Sequence, residues 1–270
     1  MMDQELQFLD VGEHGKPRKI AVIASAAEPA AGRAGAVAKP GLVWLPGLKS
    51  DMISTKATAL AAFAREHGHA MTRFDYSGHG RSSGAFEDAT IGDWLAEARA
   101  VFTTMTSGPQ ILVGSSTGGY VALLLLRDLL RSAPEAARRI TALVLIAPAW
   151  DLTEELMWRQ FPAEARRDIL ERGVYHRPSA YGEAYAITRQ FIEEGRNHLF
   201  AGQPFDPGRP VVILQGVMDV DVPVDHARRL AGFLSGGWAK LIEVADGEHR
   251  MSRPEDLELL YREITKLAPL

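Results

Sequence analysis

Gly114-Ser115-Ser116-Thr117-Gly118 has the form G-x-S-x-G, and its flanks decide how it is read. Upstream, residues 110–114 form the short apolar run of a buried strand. Downstream, residues 118–130 are apolar nearly all round, as a helix covering the middle of a sheet is. A serine between such a strand and such a helix sits on a sharp turn that holds its hydroxyl outside the sheet edge. Gly114, Gly118 and Gly119 let strand, turn and helix pack closely. The free N–H groups and positive dipole end of the helix suit a developing oxyanion. A glycine-rich turn with a capping serine would look the same, so the reading depends on partners for Ser116.

Working outward, strands alternate with helices. Residues 6–11 and 19–26 read as an opening strand pair around the polar turn 13–17, followed by an Ala-, Gly- and Pro-rich loop over 26–40. Strands are predicted over 41–45, 70–74, 142–146, 211–214 and 240–244. The spacing predicts a helix over 55–66, stopped by Gly68. Thr90 and Asp93 predict the capped start of another, with Ile91, Trp94, Ala98, Val101 and Phe102 on its buried face. Further helices are predicted over 224–234 and after Ser252, the expected cap of the last one. Residues 150–205 break the alternation. They show no clear strand, are rich in Arg, Glu and aromatics, and read as a helical insertion interrupted at Pro162, Gly173, Pro178 and Gly195. The expected architecture is therefore a mostly parallel sheet with helices on both faces: a core of residues 1–149 and 206–270, and a lid of 150–205.

Composition narrows the classes. A chain of 270 residues accommodates one large α/β domain with an insertion. A net charge of −4 gives no electrostatic case for nucleic acid. The absence of cysteine removes disulfides, thiolate metal sites and a cysteine nucleophile. No basic, apolar leader is visible at the start and no apolar run approaches the ~20 residues of a membrane helix, so a cytoplasmic protein is expected.

A serine hydroxyl needs a base. Of eight histidines, His249 is the one that follows the last predicted strand and lies downstream of an acid, which places it at the same sheet edge as Ser116. The base in turn needs an acid to hold its tautomer. Asp219 follows the strand 211–214, with Asp221 and Asp225 as rivals on the same loop; the chain order Ser116, Asp219, His249 favours Asp219. Two N–H donors should form an oxyanion hole. Thr117, next to the nucleophile, supplies one; Leu48 supplies the other, because Gly47 lets the loop after strand 41–45 turn its next amide inward.

These pieces together resemble the α/β-hydrolase family over nearly the whole chain. They are Leu45-Pro46-Gly47-Leu48, Asp75-Tyr76-Ser77-Gly78-His79-Gly80-Arg81-Ser82, the Ser116 turn, Gly216 to Pro223, and Gly247-Glu248-His249. The resemblance implies the α/β-hydrolase fold, with an eight-stranded, mostly parallel sheet, a lid after the sixth strand, and no cofactor or metal. The family often has His-Gly where this chain has Pro46-Gly47, so that histidine's support is missing here. Leu45 to Met52 and Arg177-Pro178-Ser179-Ala180-Tyr181 are more closely similar to the group of acyl-glucuronide esterases and palmitoyl-protein thioesterases with their bacterial relatives. That likeness implies a small-molecule carboxylic ester or acyl thioester as substrate.

In the insertion, Trp150, Met157, Trp158, Phe161, Tyr175, Tyr181, Tyr185 and Phe191 are candidates for an apolar wall, and Arg177, Arg189 and Arg196 for a substrate carboxylate. Trp150, Trp158, Tyr185 and Arg189 are the expected substrate contacts. Aromatics at helical spacing are usually core, and most arginines are solvated. Two other readings stand beside the esterase: a carbon–carbon bond hydrolase on the same fold, and a non-catalytic ligand-binding protein. A haloalkane-type enzyme is disfavoured because its turn carries aspartate where this chain has Ser116.

Overall fold

A computed structural model describes residues 5–12, 17–27, 39–178, 184–200 and 202–268. Most of the predicted turn 13–17, most of the loop 26–40, and Ser179, Ala180 and Tyr181 lie outside the described residues. Eight strands form one sheet: β1 (Leu6–Val11), β2 (Arg18–Ser25), β3 (Gly41–Leu45), β4 (Met71–Phe74), β5 (Gln110–Ser115), β6 (Ile140–Ile146), β9 (Val211–Gly216) and β10 (Ala239–Val244). Their order is β1-β2-β4-β3-β5-β6-β9-β10. β2 runs antiparallel to β1 and to β4, and every pair from β4 to β10 is parallel. The parallel centre explains why β3, β5 and β9 are buried along their whole length: both faces are covered, so the apolar run is continuous rather than alternating.

Two apolar layers cover the sheet. α2 (Ile91–Met105), α3 (Thr117–Ser132) and α7 (Val224–Phe233) pack on one face, where Trp94, Phe102, Leu123 and Leu230 are buried. α1 (Thr55–His67) and α8 (Pro254–Leu267) pack on the other, around Leu60, Phe63, Leu260 and Ile264. The predicted caps on α1 and α2 are in place. Gly68 closes α1 in the left-handed conformation at φ 72°, and Thr90 accepts from the Asp93 amide while Asp93 accepts from the Thr90 amide. The start of α8 differs by one residue from the Ser252 prediction. Pro254 has no N–H and fits the first helical position, so Arg253 becomes the cap, its amide bonded to Asp256, and Ser252 Oγ donates to the Arg250 carbonyl.

The insertion is not wholly helical. After β6 comes a π-helical segment, Leu152–Trp158, and then α5 (Ala163–Arg172), which ends at left-handed Gly173. β7 (Val174–Arg177) and β8 (Tyr185–Thr188) then pair as an antiparallel ribbon before α6 (Arg189–Gly195). Four residues per strand are too few to show a period of two, and Pro178 between them reads as a helix breaker, so the sequence hid the ribbon. A short helix, α4 (Pro134–Arg138), links α3 to β6.

Candidate active site

Ser116 stands where β5 passes into α3, with φ 54° and ψ −118°. A non-glycine residue at positive φ is strained, and the neighbours hold this one there. Its N–H donates to the Ile146 carbonyl on β6 (2.8 Å), and its carbonyl accepts from Gly119 and Ala149. The glycines are required by contact. A Cβ on Gly118 would overlap the Leu45 carbonyl oxygen and stand 2.5 Å from that of Pro46. The helix N-terminus thus lies directly against the end of β3.

His249, on the loop after β10, places Nε2 3.1 Å from Ser116 Oγ and Nδ1 2.8 Å from Asp219 Oδ2. A carboxylate only accepts, so Nδ1 carries the proton and the Nε2 lone pair faces the hydroxyl. Asp219 is held by more than its histidine. Oδ1 accepts the amides of Asp221 (2.9 Å) and Val222 (2.8 Å), and Oδ2 also accepts Gln215 Nε2 (3.1 Å). The side chain is fully buried. The rivals fall elsewhere: Asp221 lends its amide to Asp219, and exposed Asp225 pairs with Arg228 in the first turn of α7. Asp219, Asp221 and His249 also bring ligand-type atoms within 4.8 Å of one another. Two of the three are committed to the chain of hydrogen bonds just described.

The loop after β3 passes the nucleophile closely. A Cβ on Gly47 would lie 3.3 Å from Ser116 Cβ. Leu48 and Thr117 both line the cleft at Ser116, and among the described residues neither amide donates to a protein acceptor. The turn 75–82 braces this loop from behind. Buried Asp75 accepts the amides of Met52 (2.6 Å) and Arg81 (2.8 Å), and burial pushes its carboxyl above the ordinary carboxylate range. His79, readable in the sequence only as a turn residue, accepts the Lys49 amide at Nε2 (3.0 Å). The motif around it was the available signal, but contact with residue 49 is a tertiary fact.

The cleft has a volume of about 990 Å³. Ala149, Leu152, Leu156 and Met157 give it one apolar wall, and Lys49, Lys56, Arg177 and Arg250 bring cationic side chains to it. Lys56 is tied to the histidine loop through the Arg250 carbonyl and Ser252, and burial lowers it to about 8. The expected substrate contacts divide. Tyr185 lines the cleft, edge-on to Phe86 at 6.0 Å. Trp150 does not: it is buried, stacks on Phe233 at 5.2 Å and donates to the His226 carbonyl, so its aromatic mass belongs to the core. Trp158 also lies off the cleft, under the Arg196 guanidinium. Arg189 is exposed on α6 and paired with Glu193 four residues on, away from Ser116. Of the other wall candidates Met157 reaches the cleft, while Phe161 and Tyr175 pack on each other and Phe191 on Trp94.

A strained serine at a strand-to-helix turn, a histidine within reach and a buried aspartate behind it, on a mostly parallel sheet, define a hydrolase of the α/β type. The family model described as "Alpha/beta hydrolase family" matches residues 40–258, and the chain belongs to that family. The human palmitoyl-protein thioesterase ABHD10, a mitochondrial protein, is 34% identical over 230 residues, covering 84% of this chain and 72% of its own length. The crystal structure of a protein from Agrobacterium vitis S4 assigned as a hydrolase superposes with a TM-score of 0.91 at 37% identity, covering 98% of this chain and 99% of its own. Mouse alpha/beta hydrolase domain-containing protein 10 superposes with a TM-score of 0.81 at 31% identity, covering 97% and 98%.

Proposed function

We propose that this chain is a serine hydrolase that cleaves carboxylic esters or acyl thioesters through an acyl-enzyme on Ser116. The observation that carries the proposal is the unbroken line from Asp219 Oδ2 through His249 to Ser116 Oγ, with contacts of 2.8 and 3.1 Å. His249 takes the hydroxyl proton as Oγ adds to the carbonyl carbon, and Asp219 stabilises the imidazolium that results. The amides of Leu48 and Thr117, which among the described residues donate to no protein acceptor, receive the oxyanion. His249 then returns the proton to the leaving alcohol or thiol. Water, activated by the same imidazole, frees the acid and restores the serine. No step calls for a cofactor.

The insertion 150–205 acts as the lid of this site. Its apolar wall of Leu152, Leu156 and Met157 suits an acyl chain, and Tyr185 with Arg177 forms the wall supplied by the β7–β8 ribbon. The names of the mammalian relatives support the thioester option. A fluorophosphonate probe should label the wild type and leave Ser116→Ala unlabelled; equal labelling of both sinks the nucleophile. A panel of p-nitrophenyl esters and acyl-CoA thioesters of increasing chain length then separates ester from thioester preference. A wild type that labels but turns over neither series would refute the substrate class.

A further inference from the structure

We infer that His79 is a positioning residue for the reaction: through Lys49 it tethers the turn whose first peptide carries the Leu48 amide, and so holds that amide in place for the oxyanion. The inference rests on the serine-hydrolase reading above, and it concerns how that reading's least local part is built.

Residues 47–50 form a four-residue turn closed by the Ser50 amide donating to the Gly47 carbonyl (3.1 Å). In a trans peptide the C=O and the following N–H point in opposite directions. The bond that draws Gly47 O toward Ser50 therefore turns the Leu48 N–H to the other side of the turn, away from Ser50. Both common classes of closed turn share that direction of the first peptide, so what the Leu48 amide needs beyond it is a turn held in place beside Ser116. Lys49, the third residue, has φ 56°. Positive φ at that position marks the turn class in which the central peptide is flipped and glycine is preferred. A lysine there carries a cost that glycine would not, and relaxes toward negative φ unless something opposes it.

The opposing contact is His79. The flipped central peptide presents the Lys49 N–H to His79 Nε2 at 3.0 Å. Nε2 can accept because the ring proton sits on Nδ1, which donates to the Ser77 carbonyl at 3.1 Å. The ring cannot swing away. It is buried, with Phe86 and Trp94 edge-on at 5.4 and 5.3 Å. Its anchor is fixed too: the Ser77 carbonyl also accepts Trp94 Nε1 (3.3 Å), and the Ser77 amide donates to Glu97, which is wholly buried and paired with Arg18. A rigid acceptor thus stands behind the one strained residue of the loop that borders Ser116. Pro46, beside Gly47, has neither an N–H nor a polar side chain to do this from within the loop.

The test compares two amides. In His79→Gln the side-chain oxygen reaches the place of Nε2 and can accept the Lys49 amide. In His79→Asn the side chain ends near Nδ1 and falls short. Steady-state kinetics on a p-nitrophenyl ester and inhibition by a trifluoromethyl ketone, which forms the tetrahedral oxyanion adduct, are measured for both. Loss of a whole oxyanion donor costs about 10²–10³ in kcat, so a mis-aimed one should cost His79→Asn about 10–100-fold. KM should stay within about twofold, and ketone binding should weaken in step with kcat, because a ground-state carbonyl makes less use of the hole. His79→Gln should remain within about fivefold of wild type. The inference is overturned if Asn and Gln are equally active or equally impaired, or if Asn acts through KM with ketone binding unchanged. Wild-type protein that neither labels at Ser116 nor turns over would instead remove the hydrolase reading itself.

Discussion

Acid should destabilise this protein through His226, by an amount the structure allows to be worked out. The imidazole, on α7, is buried against Trp150. Its Nε2–H donates to the Trp150 carbonyl (2.8 Å), its Nδ1 accepts from Arg229 Nη2 (3.0 Å), and Trp150 returns a bond to the His226 carbonyl. Protonating Nδ1 would set a second cation against Arg229 and cost an acceptor. Burial, assisted by Arg229, lowers the ring from 6.5 to about 4 despite the Trp150 bond. Between pH 6.5 and 4 the unfolded chain therefore holds a proton that the folded protein does not. Stability falls as pH falls through that window and levels off below it, for a loss of about 3 kcal/mol. His79, also lowered to about 4, acts in the same direction, whereas Glu97, raised to about 7 by burial, acts in the opposite one. Raw acid denaturation sums these with other shifted groups such as Asp75 and Asp151, which burial raises, so the useful measurement is a difference. Urea unfolding of wild type and His226→Gln at intervals from pH 7 to 4.5 isolates one residue, because the glutamine can still donate to Trp150 but does not titrate. The gap between the two proteins should change by about 2–3 kcal/mol across the range, wild type losing ground toward acid. A gap constant to within about 0.5 kcal/mol would refute the reasoning.

Three further outcomes follow from packing and hydrogen bonding. Gly118→Ala would drive a methyl group into the Leu45 and Pro46 carbonyls, so Tm should fall by the equivalent of about 1–3 kcal/mol and kcat with it, since both sides of the oxyanion site move. Thr90→Ala opens the capping box of α2 and should lower stability by about 1 kcal/mol in urea, with the denaturant slope and kcat unchanged. Asp219→Asn keeps the shape of the acid loop but offers His249 an amide that permits the wrong tautomer; kcat should drop about 10³–10⁴-fold, and a drop of less than tenfold would mean another group orients the imidazole.

The sequence by itself determined the alternation of strands and helices, the turn carrying Ser116, and the chain order of serine, aspartate and histidine. These are local properties: apolar period, the glycines at 114 and 118, and a cap such as Thr90 with Asp93 act through neighbours in the chain. Which of three nearby aspartates faces His249 was not local, because Asp219 and Asp221 differ only in the direction the loop gives their side chains. The tertiary structure decided that, through two amides and Gln215 closing on Asp219. It also decided which aromatics meet substrate space. Trp150 and Tyr185 look alike as exposed or buried candidates in a sequence, but one is taken up by Phe233 and His226 while the other faces the cleft. The role of His79 arises the same way: 30 residues of chain separate it from Lys49, and only the parallel pairing of β3 with β4 brings the two turns that follow those strands side by side.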